Sequence, residues 1–382
     1  MKLEITRKDF FKSWQLAERF VNTKSKNNFA RGIFIEAKDD GSTTLKATDL
    51  KTSVKCKAEG VNVIESGSAV IPITIFGDML RKSDTDELVL DVNSERGFLK
   101  AGKSKTKFTV IPTEQFPNIP DSSQSKNVLV TACETLRQLI EEGGSASSKP
   151  DDFPKYLGTC FLRTQAGKIT IVATDGKRLS LSERVCNEIE METDLLLPSQ
   201  PFKEIAKLLT GDKDKSVQVC ATESTVFFIL VGVEFSIQLI DASFPQYERI
   251  LNNVVETSLN VNSGDLIPAL ERVDIIAKTT PAHIMALSLN PNGELKITAR
   301  APEAGIASEE FFAEIDGNPM LVGFNVGYFL DGLRILGAGK INIEFSNNEG
   351  QARMKRANDN NFLYMLMPAR LSEQDKVADA DI

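Results

Sequence analysis

The chain has 382 residues, 41% hydrophobic and 26% charged, a composition typical of globular proteins rather than disordered or membrane-embedded ones. Its 45 basic and 53 acidic side chains give a net charge of −8, which taken alone argues against a nucleic-acid binder. His283 is the single histidine, so any histidine-based metal site or Ser-His-Asp triad would have to use it. No apolar run reaches the roughly 18 residues of a membrane helix.

The first third of the chain predicts two helices among short strands. Apolar residues recur at helical spacing over 7–20, and Pro72 precedes a second helical segment over 73–82. Alternating apolar and polar residues predict strands at 32–37, 43–47, 88–92 and 107–111.

The same succession of elements recurs in the middle and last thirds. First helices are predicted at 133–142 and 265–278, and second helices at 199–210 and 326–337. The strands predicted around them are 162–164, 169–173, 216–221, 225–231, 295–299 and 340–344.

This recurrence has a period of 126 residues, the spacing from Pro72 to Pro198 and from Pro198 to Phe324. Such a period is too long for a solenoid repeat and indicates three copies of a whole domain. We predict an α+β fold of three similar domains, each with two helices against strand-rich sheets. Their predicted bounds are 1–125, 126–252 and 253–371, followed by a disordered tail over 372–382.

Charge and cysteine usage add two expectations. Residues 1–125 carry a net charge of +3, residues 126–252 of −4, and residues 253–382 of −7, so the cations are unevenly placed. Because binding to nucleic acid depends on where cations lie, the total charge does not decide the matter. The absence of a signal-peptide pattern at Met1 and five scattered cysteines without a Cys-x-x-Cys pair predict buried, reduced thiols in a cytoplasmic protein.

Two motifs invite an enzymatic interpretation. An apolar strand runs into Asp175-Gly176, as in phosphoryl-transfer enzymes with an aspartyl nucleophile, but a second carboxylate two residues away is missing. A turn explains the dipeptide as well. Gly332 to Lys340 resembles a phosphate-binding loop, but the Walker spacing fails, which favours a helix end and a turn.

Several ordered motifs resemble one family closely. They are Ala173 to Leu179, Phe244 to Ile250, Leu295 to Ala299, Gly323 to Tyr328, and Tyr364 to Leu371. In this order and spacing they are similar to the bacterial DNA polymerase III beta subunits, the sliding clamps. The similarity runs from Met1 to Leu371.

The resemblance implies a head-to-tail homodimer that closes into a ring of six domains around duplex DNA. Helices would line the hole and hold DNA by weak phosphate contacts that carry no sequence information. The implied DNA-binding residues are Lys12, Lys24, Lys26, Arg81, Lys82, Lys149, Lys155, Tyr156, Lys203 and Lys207. The dimer interface implied by matched positions joins Phe108 and Val110 to Ile275 and Ile276 of a second subunit.

The resemblance also implies a pocket for short peptides of partner proteins between the second and third domains. Matched positions give Leu157, Thr174, Gly176, Lys177, Arg178, Leu179, Pro245, Arg249, Ile250, Asn325, Tyr328, Met365, Met367, Pro368, Ala369 and Arg370. Lys177 and Ala369 depart from the histidine and methionine that the family often has there.

The resemblance therefore implies a processivity clamp without catalytic activity, cofactor, bound metal or membrane contact. Its implied partners are double-stranded DNA, the DNA polymerase III catalytic subunit, the clamp loader, and repair polymerases, mismatch-repair proteins and ligase that carry a clamp-binding motif. Two alternatives stay open, a phosphoryl-transfer enzyme that uses Asp175 and a three-domain interaction scaffold that forms no ring.

Overall fold

The computed structural model describes residues 1–150, 152–209, 215–251, 254–347 and 350–372. The predicted domain boundary at 252–253 and the predicted tail beyond Ser372 lie outside these residues. The helices are α1 (Arg7–Glu18), α2 (Ile73–Lys82), α3 (Cys133–Gly143), α4 (Ser199–Ala206), α5 (Glu248–Leu251), α6 (Ser263–Ala277) and α7 (Val326–Leu336).

The strands account for most of the remaining chain. Up to the middle of the chain they are β1 (Lys2–Thr6), β2 (Gly32–Ala37), β3 (Thr43–Thr48), β4 (Thr52–Lys57), β5 (Val61–Glu65), β6 (Gly67–Pro72), β7 (Glu87–Val92), β8 (Arg96–Ala101), β9 (Ser104–Thr109), β10 (Lys126–Ala132), β11 (Thr159–Gln165), β12 (Lys168–Thr174) and β13 (Arg178–Val185). The others are β14 (Thr193–Pro198), β15 (Ser216–Ala221), β16 (Thr225–Leu230), β17 (Val233–Gln238), β18 (Thr257–Asn262), β19 (Ile284–Leu289), β20 (Glu294–Ala301), β21 (Gly305–Phe312), β22 (Glu314–Gly317), β23 (Met320–Asn325), β24 (Lys340–Phe345), β25 (Ala352–Arg356) and β26 (Asp359–Leu366).

The chain forms two compact units that do not follow the sequence repeats. The first unit holds Met1–Cys133, Glu188–Met191 and the described part of Asp212–Leu239. The second unit holds Glu134–Asn187 and the described parts of Glu192–Gly211 and Ile240–Ile382. The middle repeat thus contributes residues to both units.

The first unit consists of two antiparallel sheets and the helices α1 and α2. One sheet has the order β5-β1-β7-β8-β9, and the other has the order β10-β15-β16-β17-β4-β3-β2-β6. The helices bury an aromatic cluster in which the Trp14 and Phe76 rings lie 4.8 Å apart and Phe10 meets Phe76 edge-on. Pairing of β4 with β17 places strands from two different repeats in one sheet.

The second unit also consists of two antiparallel sheets and several helices. Its sheets have the orders β14-β11-β12-β13-β26-β25-β24-β18-β22 and β21-β20-β19-β23. Helices α6 and α7 pack on a continuous apolar core that includes Leu270, Phe324 and Phe329. Pairing of β13 with β26 again joins strands from successive repeats.

Most predicted elements are confirmed, but several of their details are wrong. Each repeat opens with a strand, β1, β10 or β18, that leads directly into its first helix. Strand β9 begins at Ser104 and ends at Thr109, not at 107–111, because a tight turn at Gly102 (φ +59°) pairs Ala101 with Ser104. Helix α4 ends at Ala206, short of the predicted 210.

Candidate partner-binding site

Main-chain pairing inside the second unit brings the predicted pocket segments together. In the β13–β26 ladder, Arg178 lies opposite Leu366 and Leu179 opposite Met365. The ladder continues past the strand end, where the Met367 amide donates to the Lys177 carbonyl at 2.9 Å. Strand β26 therefore carries the C-terminal segment along the edge of the turn that precedes β13.

That turn, from Thr174 to Arg178, is shaped by its own side chains. The Gly176 amide donates to Thr174 Oγ1 at 3.0 Å, and Asp175 Oδ1 accepts the amides of Lys177 and Arg178 at 2.9 and 3.0 Å. Gly176 has φ +83°, a left-handed conformation that favours glycine. The Asp175 carboxylate thus accepts hydrogen bonds within the turn, which agrees with the interpretation of Asp175-Gly176 as a turn.

The beginning of helix α7 forms a second wall. Asn325 caps the helix, because its side-chain oxygen accepts the Tyr328 amide at 3.0 Å. The Ala369 amide donates to the Gly323 carbonyl at 2.8 Å, which fastens the segment after Met367 to the strand that leads into this cap. Gly323 is needed there, since a Cβ atom would lie 2.5 Å from the Ala369 oxygen.

The segment around α5 is hydrogen-bonded to β25 and to the residue before it. Gln351 Nε2 donates to the Ile250 carbonyl at 2.6 Å, and Arg353 Nη1 donates to the Leu251 carbonyl at 2.8 Å. Beside this segment lies a cavity of about 540 Å³ whose lining includes Pro245 and Arg249 of the predicted pocket, together with Phe161, Arg163 and Tyr247. Leu157 is half-buried and its carbonyl accepts the Ser148 amide at 2.8 Å.

Burial separates the predicted apolar residues into two groups. Leu179 and Met365 are buried in an apolar cluster with Phe161, Val172 and Tyr247, so they support the site from beneath. Met367 and Ile250 are 47% and 38% exposed, which is unusual for large apolar side chains. Pro368 and Ala369 are half-buried, and Arg370 is exposed.

Arg178 is the most extensively bonded polar residue of the site. Its Nε donates to Asp175 Oδ2 at 2.9 Å, and its Nη1 donates to Asp331 Oδ2 at 2.7 Å and to Tyr364 Oη at 2.9 Å. Its guanidinium also lies 4.3 Å from the centre of the Tyr328 ring. Burial works to lower the pKa of Arg178, but Tyr364, Asp331 and Asp175 outweigh it and raise that pKa.

Sequence reasoning missed Asp331, Tyr364, Gln351 and Arg353, which hold the site together. Asp331 pairs with a residue 153 positions earlier, and no local pattern announces such a contact. The one available signal is that Asp331 lies three residues after Tyr328, on the same side of helix α7.

The predicted DNA-binding residues occupy different environments. Lys24, Lys26, Lys82, Lys149 and Lys155 are exposed, whereas Tyr156 is half-buried and meets Phe244 edge-on. Three cations pair with carboxylates within a helical turn: Lys12 with Asp9, Arg81 with Asp78 (and with Glu18), and Lys207 with Glu204. The hydrogen bond that Lys12 Nζ donates to Asp9 raises the pKa of Lys12.

Lys203 departs from the prediction of a solvated cation. Its Nζ donates to Ser147 Oγ at 2.8 Å, and its side chain is half-buried. Burial lowers the pKa of Lys203, because the folded protein disfavours its charged form.

We expect Lys203→Met to stabilise the protein at pH 7, by about 2 °C in melting temperature. Because the pKa of Lys203 is lower in the folded than in the unfolded protein, its charged form destabilises the fold at pH values below the folded-state pKa. This destabilisation disappears as the pH rises towards the ordinary lysine pKa of 10.5, so the stability gained by Lys203→Met should shrink in alkaline buffer. Thermal unfolding from pH 7 to 10.5 measures this. A variant less stable than the parent at pH 7 would show that the bond to Ser147 outweighs burial.

The predicted interface residues of the first unit are buried within that unit. Phe108 is 4% and Val110 7% exposed, and the Phe108 ring lies over Gly97, where a Cβ atom would come within 2.4 Å of it. They therefore leave little surface for a second subunit. Ile275 on α6 is 56% exposed, whereas Ile276 packs partly against the core.

Three further observations concern membrane helices, metal ligands and cysteines. Within the described ranges, no helix is both long and apolar enough to cross a bilayer, and no group of three potential metal ligands occurs. All five cysteine side chains are buried, as predicted.

Comparison with known proteins defines the class. Three family models match in order: the N-terminal domain of the DNA polymerase III beta subunit at residues 1–120, its central domain at 131–246 and its C-terminal domain at 248–370. The chain thus consists of three clamp domains and belongs to the family of bacterial DNA polymerase III beta subunits. Its function is that of a sliding clamp in DNA replication.

Individual relatives are distant but match over nearly the whole length. The beta sliding clamp of Pseudomonas aeruginosa is 28% identical over 86% of this chain and 89% of its own, and that of Vibrio cholerae is 25% identical over 97% and 100%. The crystal structure of the DNA polymerase III subunit beta from Pseudomonas aeruginosa superimposes with a TM-score of 0.91 at 26% identity, covering 97% of this chain and 100% of that one.

Proposed function

We propose that two copies of this chain form a closed, head-to-tail ring around duplex DNA and tether proteins that carry a short apolar peptide motif. The observation that carries the proposal is the main-chain pairing that joins three predicted pocket segments, 174–179, 323–328 and 365–370, beside the exposed side chain of Met367. The domain bounds we propose remain 1–125, 126–252 and 253–371.

The site suits a peptide ligand. It offers exposed apolar side chains beside backbone groups and a few fixed polar ones, the combination typical of ligand sites. Methionine adapts to differently shaped ligands, which suits a site shared by several partners. Those partners are the DNA polymerase III catalytic subunit, the clamp loader, repair polymerases, mismatch-repair proteins and ligase, all in the cytoplasm.

The subunit contact we propose joins two sheet edges. Strand β9 is the edge of one sheet in the first unit, and β21 is the edge of one sheet in the second. Exposed Lys105 and Lys107 lie on β9, and Glu309 and Glu310, which pair with Arg272 and Lys296 of the same chain, lie on β21. Opposite charges on two unpaired strands favour pairing between subunits, and a head-to-tail contact closes when its rotations complete a full turn.

DNA retention should depend on exposed lysines without dependence on base sequence. Lys12, Lys24 and Lys207 are exposed, and Lys12 and Lys207 pair with Asp9 and Glu204 at the surface. We expect the triple change to glutamate to weaken retention on nicked circular DNA and to lower the slope of its salt dependence by about one for each lost phosphate contact.

The measurement is retention of loaded protein on circular DNA across a salt series. Exchanging Lys38, Lys51 and Lys168 for glutamate gives a control with the same charge change outside the predicted set. Equal losses from both triple variants, or strong preference for one DNA sequence, would contradict the proposal.

The proposed function includes no catalysis. Asp175 uses its carboxylate oxygens to accept three hydrogen bonds within its own turn, which leaves a poor nucleophile. A metal-dependent phosphatase assay on the pure protein tests the enzyme alternative. Negative-stain images and light scattering test the scaffold alternative, because the clamp must form a dimeric particle with a central hole.

A further inference from the structure

Tyr328 is held at two places, its ring and its main-chain carbonyl. The Arg178 guanidinium covers one face at 4.3 Å, and the Tyr364 hydroxyl donates to the Tyr328 carbonyl at 3.0 Å. The same hydroxyl accepts from Arg178 Nη1 at 2.9 Å, so the two supports are linked to each other. Burial raises the pKa of Tyr364, which keeps its hydroxyl protonated and able to donate.

Two carboxylates on opposite sides orient the guanidinium. Asp175, from the turn before β13, binds Nε, and Asp331, from helix α7, binds Nη1 at 2.7 Å. Asp331 lies one helical turn after Tyr328. Arg178 therefore contacts helix α7 at two positions, the Asp331 carboxylate and the Tyr328 ring. Without Asp331, Arg178 has no carboxylate partner on α7 among the residues described.

We propose that Asp331 is a positioning residue of the peptide site, which acts through Arg178 to keep the Tyr328 ring as a fixed wall. The inference rests on the proposed function and adds a residue to it. Asp331 contributes by preorganisation: a peptide that meets an already ordered ring loses less conformational freedom on binding.

The local charges make this role separable from stability. Asp331 is half-exposed, and Asp175 still pairs with Arg178 when Asp331 is removed, so no buried charge is left alone. Arg178 is only 13% exposed, but Asp175 and Tyr364 remain bonded to its guanidinium, so the loss of one half-exposed partner should cost little folding free energy. The fold should therefore tolerate Asp331→Ala while the ring loses one of its restraints.

Helix α7 supplies a matched control. Arg334 pairs with Glu271 at 2.8 Å, and Glu271 is 51% exposed, close to the 50% of Asp331. Glu271→Ala on α6 therefore removes the carboxylate partner of an α7 residue, at an exposure matched to Asp331, without touching the Arg178 cluster.

The experiment measures the affinity of a synthetic peptide with a glutamine followed by apolar and aromatic residues, by fluorescence anisotropy on the full chain. We expect Asp331→Ala to weaken binding about fivefold, Asp331→Glu to restore part of the loss, and Glu271→Ala to change it less than about twofold. Melting temperatures of all three variants should stay close to that of the parent.

Two further readouts separate positioning from direct contact with the peptide. In a Tyr328→Ala background, Asp331→Ala should add little to the loss, because the two residues act as one unit. With isotope-labelled tyrosine, the chain's four tyrosines give few signals, and Asp331→Ala should move those of Tyr328 and Tyr364 but not those of Tyr156 and Tyr247.

The outcomes are distinct. If the unmodified protein binds no such peptide, the proposed function fails, and the inference falls with it. If the unmodified protein binds and Asp331→Ala binds equally well, the inference alone is overturned. It is also overturned if the full loss persists in the Tyr328→Ala background, since Asp331 would then touch the peptide itself.

Discussion

Ile275→Asp should convert the proposed dimer into monomers. The side chain is 56% exposed on α6 and belongs to the apolar surface expected at the subunit contact. An unpaired carboxylate buried there costs about 3–5 kcal/mol, which weakens the contact more than about a hundredfold. Sedimentation velocity across a concentration series measures the change.

Ile64→Asp is the matched control, because Ile64 is also an exposed isoleucine but lies on the opposite edge of its sheet from β9. It should leave the dimer intact. We change Ile275 alone, since Ile276 packs against the core and its replacement would also disturb the fold. A dimer that survives Ile275→Asp would contradict the proposed contact.

The same contact should weaken with salt. The lysines of β9 and the glutamates of β21 attract each other less as ions screen them. Exchanging Lys105 and Lys107 for glutamate should therefore favour monomers, and changing Glu309 and Glu310 to lysine in the same chain should restore the dimer. Failure of this exchange to restore it would argue against pairing of these two edges.

Met367→Ala combined with Ile250→Ala should remove most peptide binding while the protein stays folded. Both side chains are partly exposed, so each is expected to lose about 1 kcal/mol of apolar contact with the ligand, or about fivefold in affinity. Anisotropy with the labelled peptide measures the loss, and thermal unfolding checks the fold.

Leu179→Ala provides an informative contrast. Because Leu179 is buried, its truncation should cost about 2–5 kcal/mol of folding free energy and weaken binding only through the damaged site. Val185→Ala removes an exposed apolar side chain elsewhere on β13 and should affect neither property. If the Met367→Ala, Ile250→Ala double variant binds the labelled peptide as tightly as the unmodified protein does, the proposed peptide site is refuted.

Local patterns predicted the elements better than the contacts. The bounds of α2 agree at both ends, because a strand ending in Pro72 leads into a segment of helical periodicity. The alternation of apolar and polar residues places Phe108 on one face of β9. The pattern does not show whether that face packs on the core of its own unit or on a second subunit. The ion pair of Arg178 with Asp331 escaped detection because it depends on tertiary proximity alone.

The environment of Lys203 also could not be predicted from the sequence. A lysine on an amphipathic helix has the same sequence signature whether it points to solvent or folds back onto a neighbouring segment. Here Ser147, 56 positions away, supplies a partner, and helix periodicity contains no information about it. Charge patterns thus indicated a basic surface without identifying which cations are free.

The ladders that join successive repeats limit how this chain can be dissected. The middle repeat contributes β17 to a sheet with β4 and β13 to a sheet with β26. Cut out on its own, it would expose two unprotected strand edges and tend to aggregate. The repeated sequence and the compact units have different bounds, so truncations for biochemical work should follow the units.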